Sequence, residues 1–197
     1  MKTGMDEGVD PRQVIIIAAK GLFARFGLGK TTMEDIARAS NKAKSTLYYY
    51  FKSKEDVFTH VIMLEVAGLK AAIGSAVRRE EDPCEKFRAF VRSRMTYFAK
   101  KSDQYISIRE EYHRNHAFIK DVLADYSQWE IALIRGILMV GVEKGMFDVT
   151  DLTGSSRGIF YALKGLEYPW LEELSKEEQG QSTDILLGII LKGVSRH

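Results

Sequence analysis

An all-α fold is predicted by three observations. Only three prolines, Pro11, Pro83 and Pro169, interrupt 197 residues. Runs of β-branched alternation are rare, whereas apolar residues recur three and four apart along most of the chain. Helix start and stop signals separate these periodic stretches. The pattern resolves into a short N-terminal three-helix head with a helix-turn-helix, followed by a helical body, about nine helices in total. Residues 1–9 read as a flexible tail, 10–53 as the head and 54–197 as a C-terminal helical body.

The first helix carries Ile15, Ile16, Ile17, Leu22 and Phe23 and closes at Gly27. Gly21 sits inside it, where glycine costs about 1 kcal/mol relative to alanine. Thr31 and Thr32 open the second helix, with a hydroxyl to cap backbone amides and Glu34 in the first turn; Met33, Ile36 and Ala37 share one face. Ser40 and Asn41 form the turn, because asparagine tolerates a left-handed backbone. The third helix starts with Lys44, Ser45 and Thr46 and is seated by Leu47 and Phe51, four apart. Ser53 caps a long fourth helix through Val57, Phe58, Val61, Ile62, Leu64 and Leu69 to about Val77. Pro83 opens a fifth, with Phe87, Phe90, Val91, Met95 and Phe98 as its buried stripe, to about Lys100. A shorter helix is expected over 104–115, then a long one over 117–144 with Val122, Leu123, Tyr126, Trp129, Leu133, Ile137 and Val140 inward, closed by Gly145. Two more, over 151–174 and 176–193, complete the chain, which shows no internal repeat.

A helix-turn-helix places the start of its second helix in the major groove, where Lys, Ser and Thr reach base edges and Tyr and Lys reach phosphates. Those residue types occur here in that order: Lys42, Lys44, Ser45, Thr46, Tyr48, Tyr49 and Tyr50, with Thr32 capping the preceding helix close to the DNA backbone. Adjacent tyrosines point about 100° apart on a helix, so the three cannot all be core. Charge follows the same division. The formal net charge of +2 conceals a head, residues 10–54, with nine Lys or Arg against three acids, and a remainder, residues 55–197, with 19 basic against 22 acidic residues. Only the head carries the charge that attracts phosphates.

These residues resemble the N-terminal domain of the TetR (tetracycline-repressor-like) family. The resemblance runs from Ile15-Ile16-Ile17-Ala18-Ala19-Lys20-Gly21-Leu22-Phe23 and Gly27 through Thr31-Thr32 and Asp35-Ile36-Ala37 to Thr46-Leu47-Tyr48-Tyr49-Tyr50-Phe51 and Ser53-Lys54-Glu55. Three positions depart from it: Asn41 and Ser45 stand where glycine is common, and Lys42 where an apolar residue is usual. The resemblance implies a DNA-binding regulator acting as a homodimer on a palindromic double-stranded operator. It implies that Lys54 contacts phosphate, that the outcome is repression, and that a small apolar or amphipathic effector in the body changes the spacing of the two heads. It also implies that the last two helices pair between subunits, for which Gly158, Tyr161, Gly165, Leu187 and Ile190 are the candidates. Met63, Met95, Phe98, Tyr105, Ile108, Tyr112, Phe118, Trp129 and Phe160 are the apolar residues available to line an effector pocket, although aromatic and Met stripes are more often plain core.

Other functions find little in the sequence. No nucleophile elbow, phosphate loop or metal-protease motif occurs, so no enzyme and no cofactor are expected. Cys84 is the single cysteine, which excludes an internal disulfide and fits a reducing cytoplasm. It follows Pro83 at a helix start, where thiolate character is favoured and redox sensing becomes an option. His113 and His116 lie three apart beside Glu110 and Glu111, a spacing that could suit a metal, although such polar residues are more often a solvated surface and no metal is expected. No secretory leader is evident, and the longest uninterrupted apolar run, 185–191, is far below the roughly 20 residues that span a bilayer, so no membrane association is expected. A sequence-tolerant architectural DNA binder, or a helical ligand-binding protein with a vestigial head, are the competing readings.

Overall fold

The structure is a computed structural model that describes residues 10–100 and 117–196, without the side chains of 117–120 and 166–172. Eight helices make up the described residues: α1 Pro11–Lys30, α2 Met33–Ala39, α3 Lys44–Tyr50, α4 Lys54–Arg78, α5 Pro83–Lys100, α6 Ala117–Glu143, α7 Leu152–Glu173 and α8 Lys176–Val194. No strand occurs among them; one isolated bridge joins Phe147 to Ser195. The all-α expectation holds, and the helix expected over 104–115 lies outside the described residues. The described residues form two compact units, one holding residues 10–65 and 117–122 and the other residues 66–100 and 123–196. The division in α4 falls after Glu65.

In the first unit, Asp10 accepts a hydrogen bond from the Arg12 amide at 2.9 Å and Pro11 takes the first helical position, which together start α1. Gly27 breaks the helix with φ 73°, and Leu28 to Lys30 add one further turn. The buried Thr31 hydroxyl donates to the Gly27 carbonyl at 2.8 Å and braces that break. Ile15, Ala19 and Phe23 of α1 meet Ile36 of α2, Leu47 of α3 and Phe58 of α4 in one core. Phe23 and Phe58 pack edge to face with ring centroids 5.0 Å apart. Gly21 faces outward, and a β-carbon added there meets nothing within 4 Å. Gly21→Ala is therefore expected to raise head stability by about 0.5–1 kcal/mol, measured as a shift in the urea midpoint at unchanged slope.

The second unit is built on amphipathic helices whose buried stripes follow from spacing. α5 buries Phe87, Phe90, Val91, Arg94, Met95 and Phe98. On α6 the buried residues are Tyr126, Glu130, Ile134, Ile137 and Leu138, while Trp129, Leu133 and Val140 are half-buried. The inward face is thus rotated from the one expected. α6 ends as predicted at Gly145, with φ 68°; the Gly145 amide bonds the Val142 carbonyl at 2.9 Å and the Met146 amide the Gly141 carbonyl at 2.9 Å, the two bonds of a Schellman cap. Phe147 then folds back so closely that a β-carbon on Gly141 would stand 1.9 Å from its ring. Backbone bonds from Asp148 to Val194 and from Arg196 to Met146, 2.8 and 3.0 Å, fasten this turn to the end of α8. α8 starts with a capping box between Ser175 and Glu178.

One expectation is corrected by α4. By length and composition this helix is long and apolar enough to cross a bilayer, with mean hydropathy 1.5 over an 18-residue window. Its apolar stretch is not an uninterrupted run, because Glu65 and Lys70 fall in its middle. Val57, Phe58, Val61, Ile62, Leu69, Ile73 and Val77 are buried, which accounts for its composition as a core helix.

Candidate functional site

The candidate site is the α2–turn–α3 segment. Thr32 caps α2 in a reciprocal box: its hydroxyl oxygen accepts from the Asp35 amide at 3.2 Å, and the Asp35 carboxylate accepts from the Thr32 amide at 3.1 Å. The box partner is Asp35, three residues on, rather than Glu34. Hydrogen bonding to Thr32, side chain first and backbone second, lowers the Asp35 carboxyl below its usual range. Met33, Ile36 and Ala37 are buried together, as their shared face predicted.

The turn is a second Schellman cap. Asn41 takes the left-handed conformation, φ 52°; its amide bonds the Arg38 carbonyl at 3.2 Å, and the Lys42 amide bonds the Ala37 carbonyl at 3.1 Å. The buried Ser40 hydroxyl donates to the Ile36 carbonyl at 2.7 Å. These bonds leave no backbone freedom to re-aim α3. Lys42 is half-buried at the position where this motif usually places an apolar contact.

α3 is held on one side only. Leu47 and Phe51 are fully buried, whereas Lys44, Ser45, Tyr48 and Tyr49 are exposed, Tyr49 at 82%. Thr46 and Tyr50 are half-buried. Tyr50 meets the Tyr49 ring edge to face at 4.9 Å. The Lys44 ammonium pairs with the Glu34 carboxylate across the turn and lies 5.8 Å from the Tyr48 ring centre. Their hydrogen bond and charges hold the Glu34 carboxyl below, and the Lys44 ammonium above, its usual range. Both groups are in water, so this pair gives way readily to a stronger anion.

Lys54 is placed differently from the expected phosphate contact. Its ammonium donates to the carbonyls of Leu28, Gly29 and Thr31 at 2.8, 3.2 and 3.1 Å. An ammonium has three donors, and all three are used. Lys54 therefore ties the start of α4 to the frayed end of α1, where the Gly27 break leaves carbonyls without helical partners.

The pocket candidates divide. Met63 is half exposed on α4, off the buried stripe of that helix, which runs through Ile62 and Leu69. Tyr105, Ile108, Tyr112 and the Phe118 side chain lie outside the described residues, as do His113 and His116. Phe160 is buried. Met95, Phe98 and Trp129 converge on a buried polar cluster that sequence reading did not isolate. Arg94, 1% exposed, donates through Nε to Glu130, 0% exposed. The Arg94 guanidinium lies over the Phe98 ring, 4.9 Å from its centre, and 3.7 Å from the Met95 sulfur. Tyr126 stacks on Trp129 at 6.1 Å, and burial, with the Glu130 charge adding to it, pushes the Tyr126 phenol well up. The available signal was Arg94 falling on the apolar stripe of α5, seven residues after Phe87.

The dimer candidates divide as well. Gly158, Tyr161 and Gly165 lie on the exposed side of α7, Tyr161 at 64%. Leu187 does not: it is 2% exposed, on the inward Thr183–Leu187–Leu191 face of α8, and Ile190 is half-buried. The outward apolar residues of α8 are Ile185 and Ile189, each 64% exposed, an i, i+4 pair that sequence reading missed. Cys84 is half-buried, and its thiol is raised by burial and then by Asp82, against the expected thiolate character. Among the described residues no group of three His, Cys, Asp or Glu is positioned to hold a metal.

A Schellman-locked turn between a capped helix and a one-sided, polar and aromatic second helix defines a helix-turn-helix DNA-binding protein. Residues 15–61 match the sequence model of bacterial regulatory proteins, tetR family. Over nearly its whole length it is similar to the probable acrEF/envCD operon repressor of Escherichia coli (strain K12), 24% identical over 94% of this chain and 87% of the relative. It is likewise similar to the HTH-type transcriptional regulator QacR of Staphylococcus aureus (strain Mu50 / ATCC 700699), 24% identical over 92% and 97% of the two chains. The fold matches the fatty acid degradation regulator FadR from Bacillus halodurans with a TM-score of 0.78, at 23% identity and coverage of 95% and 98%. The chain is a DNA-binding transcriptional regulator.

Proposed function

We propose that this protein is a repressor that binds a palindromic operator as a homodimer and leaves it when a small apolar or amphipathic effector binds the body. The supporting observation is the asymmetry of α3, with Leu47 and Phe51 anchored and Ser45, Tyr48 and Tyr49 free to meet DNA. Lys44, Ser45 and Thr46 read base edges, and Tyr48, Tyr49 and Tyr50 with Thr32 and Lys42 meet the backbone. Lys54 acts one step back, by holding the α1–α4 junction that positions the head. The organisation is a head joined through α4 to a ligand-binding and dimerisation body, working in the cytoplasm. DNase footprinting on the DNA upstream of its own gene should reveal two protected half-sites one or more helical turns apart, about 10 bp per turn. A single uninterrupted or sequence-independent footprint would favour an architectural binder instead.

The outward faces of α7 and α8 serve the dimer, through Gly158, Tyr161 and Gly165 together with Ile185 and Ile189. Exposed glycines admit close helix approach, and the isoleucine pair supplies apolar area that water otherwise covers. Ile185→Ser with Ile189→Ser is expected to weaken dimerisation by roughly 10- to 100-fold in analytical ultracentrifugation. Leu187→Ser should instead lower monomer stability.

A further inference from the structure

We propose that the groove between α5 and α8 binds an amphipathic anion, an acyl chain ending in a carboxylate or phosphate. The inference rests on the effector reading above and adds the chemistry of the ligand and its place. The groove is open to solvent on one side and holds about 700 Å³, within the roughly 300–1,000 Å³ of ordinary small-molecule sites. Met95 and Ala99 of α5 give it an apolar lining. Lys100 stands on the α5 wall and Lys176 on the α8 wall, and neither takes part in an ion pair among the described residues.

Among the described residues the other charges on the groove cancel. Arg92 and Asp184 pair across it at 3.0 Å, so two positive charges are left over an apolar floor. Lys176 is also the first residue of α8, where the helix dipole is positive. Of the two acids in that turn, Glu178 is committed to the Ser175 cap and Glu177 does not line the groove. Two cations of one sign facing a shared cavity favour an anionic head group, and the lining favours a hydrocarbon tail. A neutral amphiphile gains only the second, and a cationic one is repelled.

Isothermal titration of the full-length protein with decanoate, decyl phosphate and 1-decanol tests this. Wild type should bind both anions more tightly than the alcohol, and the preferred anion identifies the head group. In Lys100→Gln with Lys176→Gln, anion affinity should fall about 10- to 100-fold while the alcohol is unaffected. Anion binding to wild type should weaken with added salt, as expected for charges screened over about 10 Å at 0.1 M. Thr96→Trp, an exposed position on the groove wall, should remove binding of anions and alcohol alike. Equal anion affinity in the double variant, equal affinity of alcohol and anions for wild type, or no binding of any probe overturns the proposal. If another small molecule releases the operator while decanoate and decyl phosphate do not bind, this site falls and the effector reading stands. If the anions bind as described without changing operator affinity, the site stands and its coupling to DNA falls.

Discussion

Glu130→Ala is expected to destabilise the body by about 3–5 kcal/mol, the range found when one member of a buried ion pair is removed. Arg94 and Glu130 are 1% and 0% exposed, so deleting the carboxylate removes the opposite charge from a guanidinium that water cannot reach. Phe98 presents a ring face to Arg94 and Met95 a thioether. The second Glu130 oxygen and the Tyr126 hydroxyl carry no hydrogen bond among the described residues, so the cluster is imperfectly satisfied even intact. This leads to a contrast that separates charge from packing. Arg94→Met combined with Glu130→Leu removes both charges at similar volume, and should be more stable than either single variant, approaching or exceeding wild type. Thermal and urea denaturation of the four proteins measure it. A double variant no better than Glu130→Ala would mean that the cluster stabilises by more than mutual charge compensation.

Lys54→Met is expected to cost the head about 2–3 kcal/mol, since charge-assisted hydrogen bonds contribute roughly 1.5–3 kcal/mol and three carbonyls lose their donor together. The loss is local to the end of α1, where Gly27 has already interrupted the helical bonding pattern. DNA affinity should fall alike for all sequences, because every interaction α3 makes with DNA depends on the head holding its geometry. The salt dependence separates the two possible roles. A lysine that neutralises a phosphate lowers the slope of log affinity against log salt by about one when removed. A lysine that braces the head leaves the slope unchanged, which is the result expected here.

Much of the head was legible because its signals are local. Asn41 specifies a left-handed turn by itself, Leu47 and Phe51 mark the anchored side of α3 by their spacing, and Thr32 announces a cap. What escaped depended on residues far apart in sequence. Nothing local to Lys54 says that its ammonium reaches carbonyls 23 to 26 residues earlier. Arg94 reads as an exception in an apolar stripe until Glu130, 36 residues on, explains it. Lys100 and Lys176 look like ordinary surface charges until α5 and α8 bring them to one groove. The direction in which α8 faces was also ambiguous, because Leu187, Ile189 and Ile190 are equally apolar and only packing sends Leu187 inward and Ile189 outward.

The central claim is that α3, locked by the Asn41 turn, reads a specific sequence. The direct test is competition between the footprinted upstream DNA and scrambled DNA of equal length at physiological salt, for wild type and for Ser45→Ala. A sequence-specific regulator prefers its site by about 10³-fold or more, and each base-edge hydrogen bond removed should erode that preference by roughly 1–3 kcal/mol. Equal affinity of wild type for both DNAs would contradict the account.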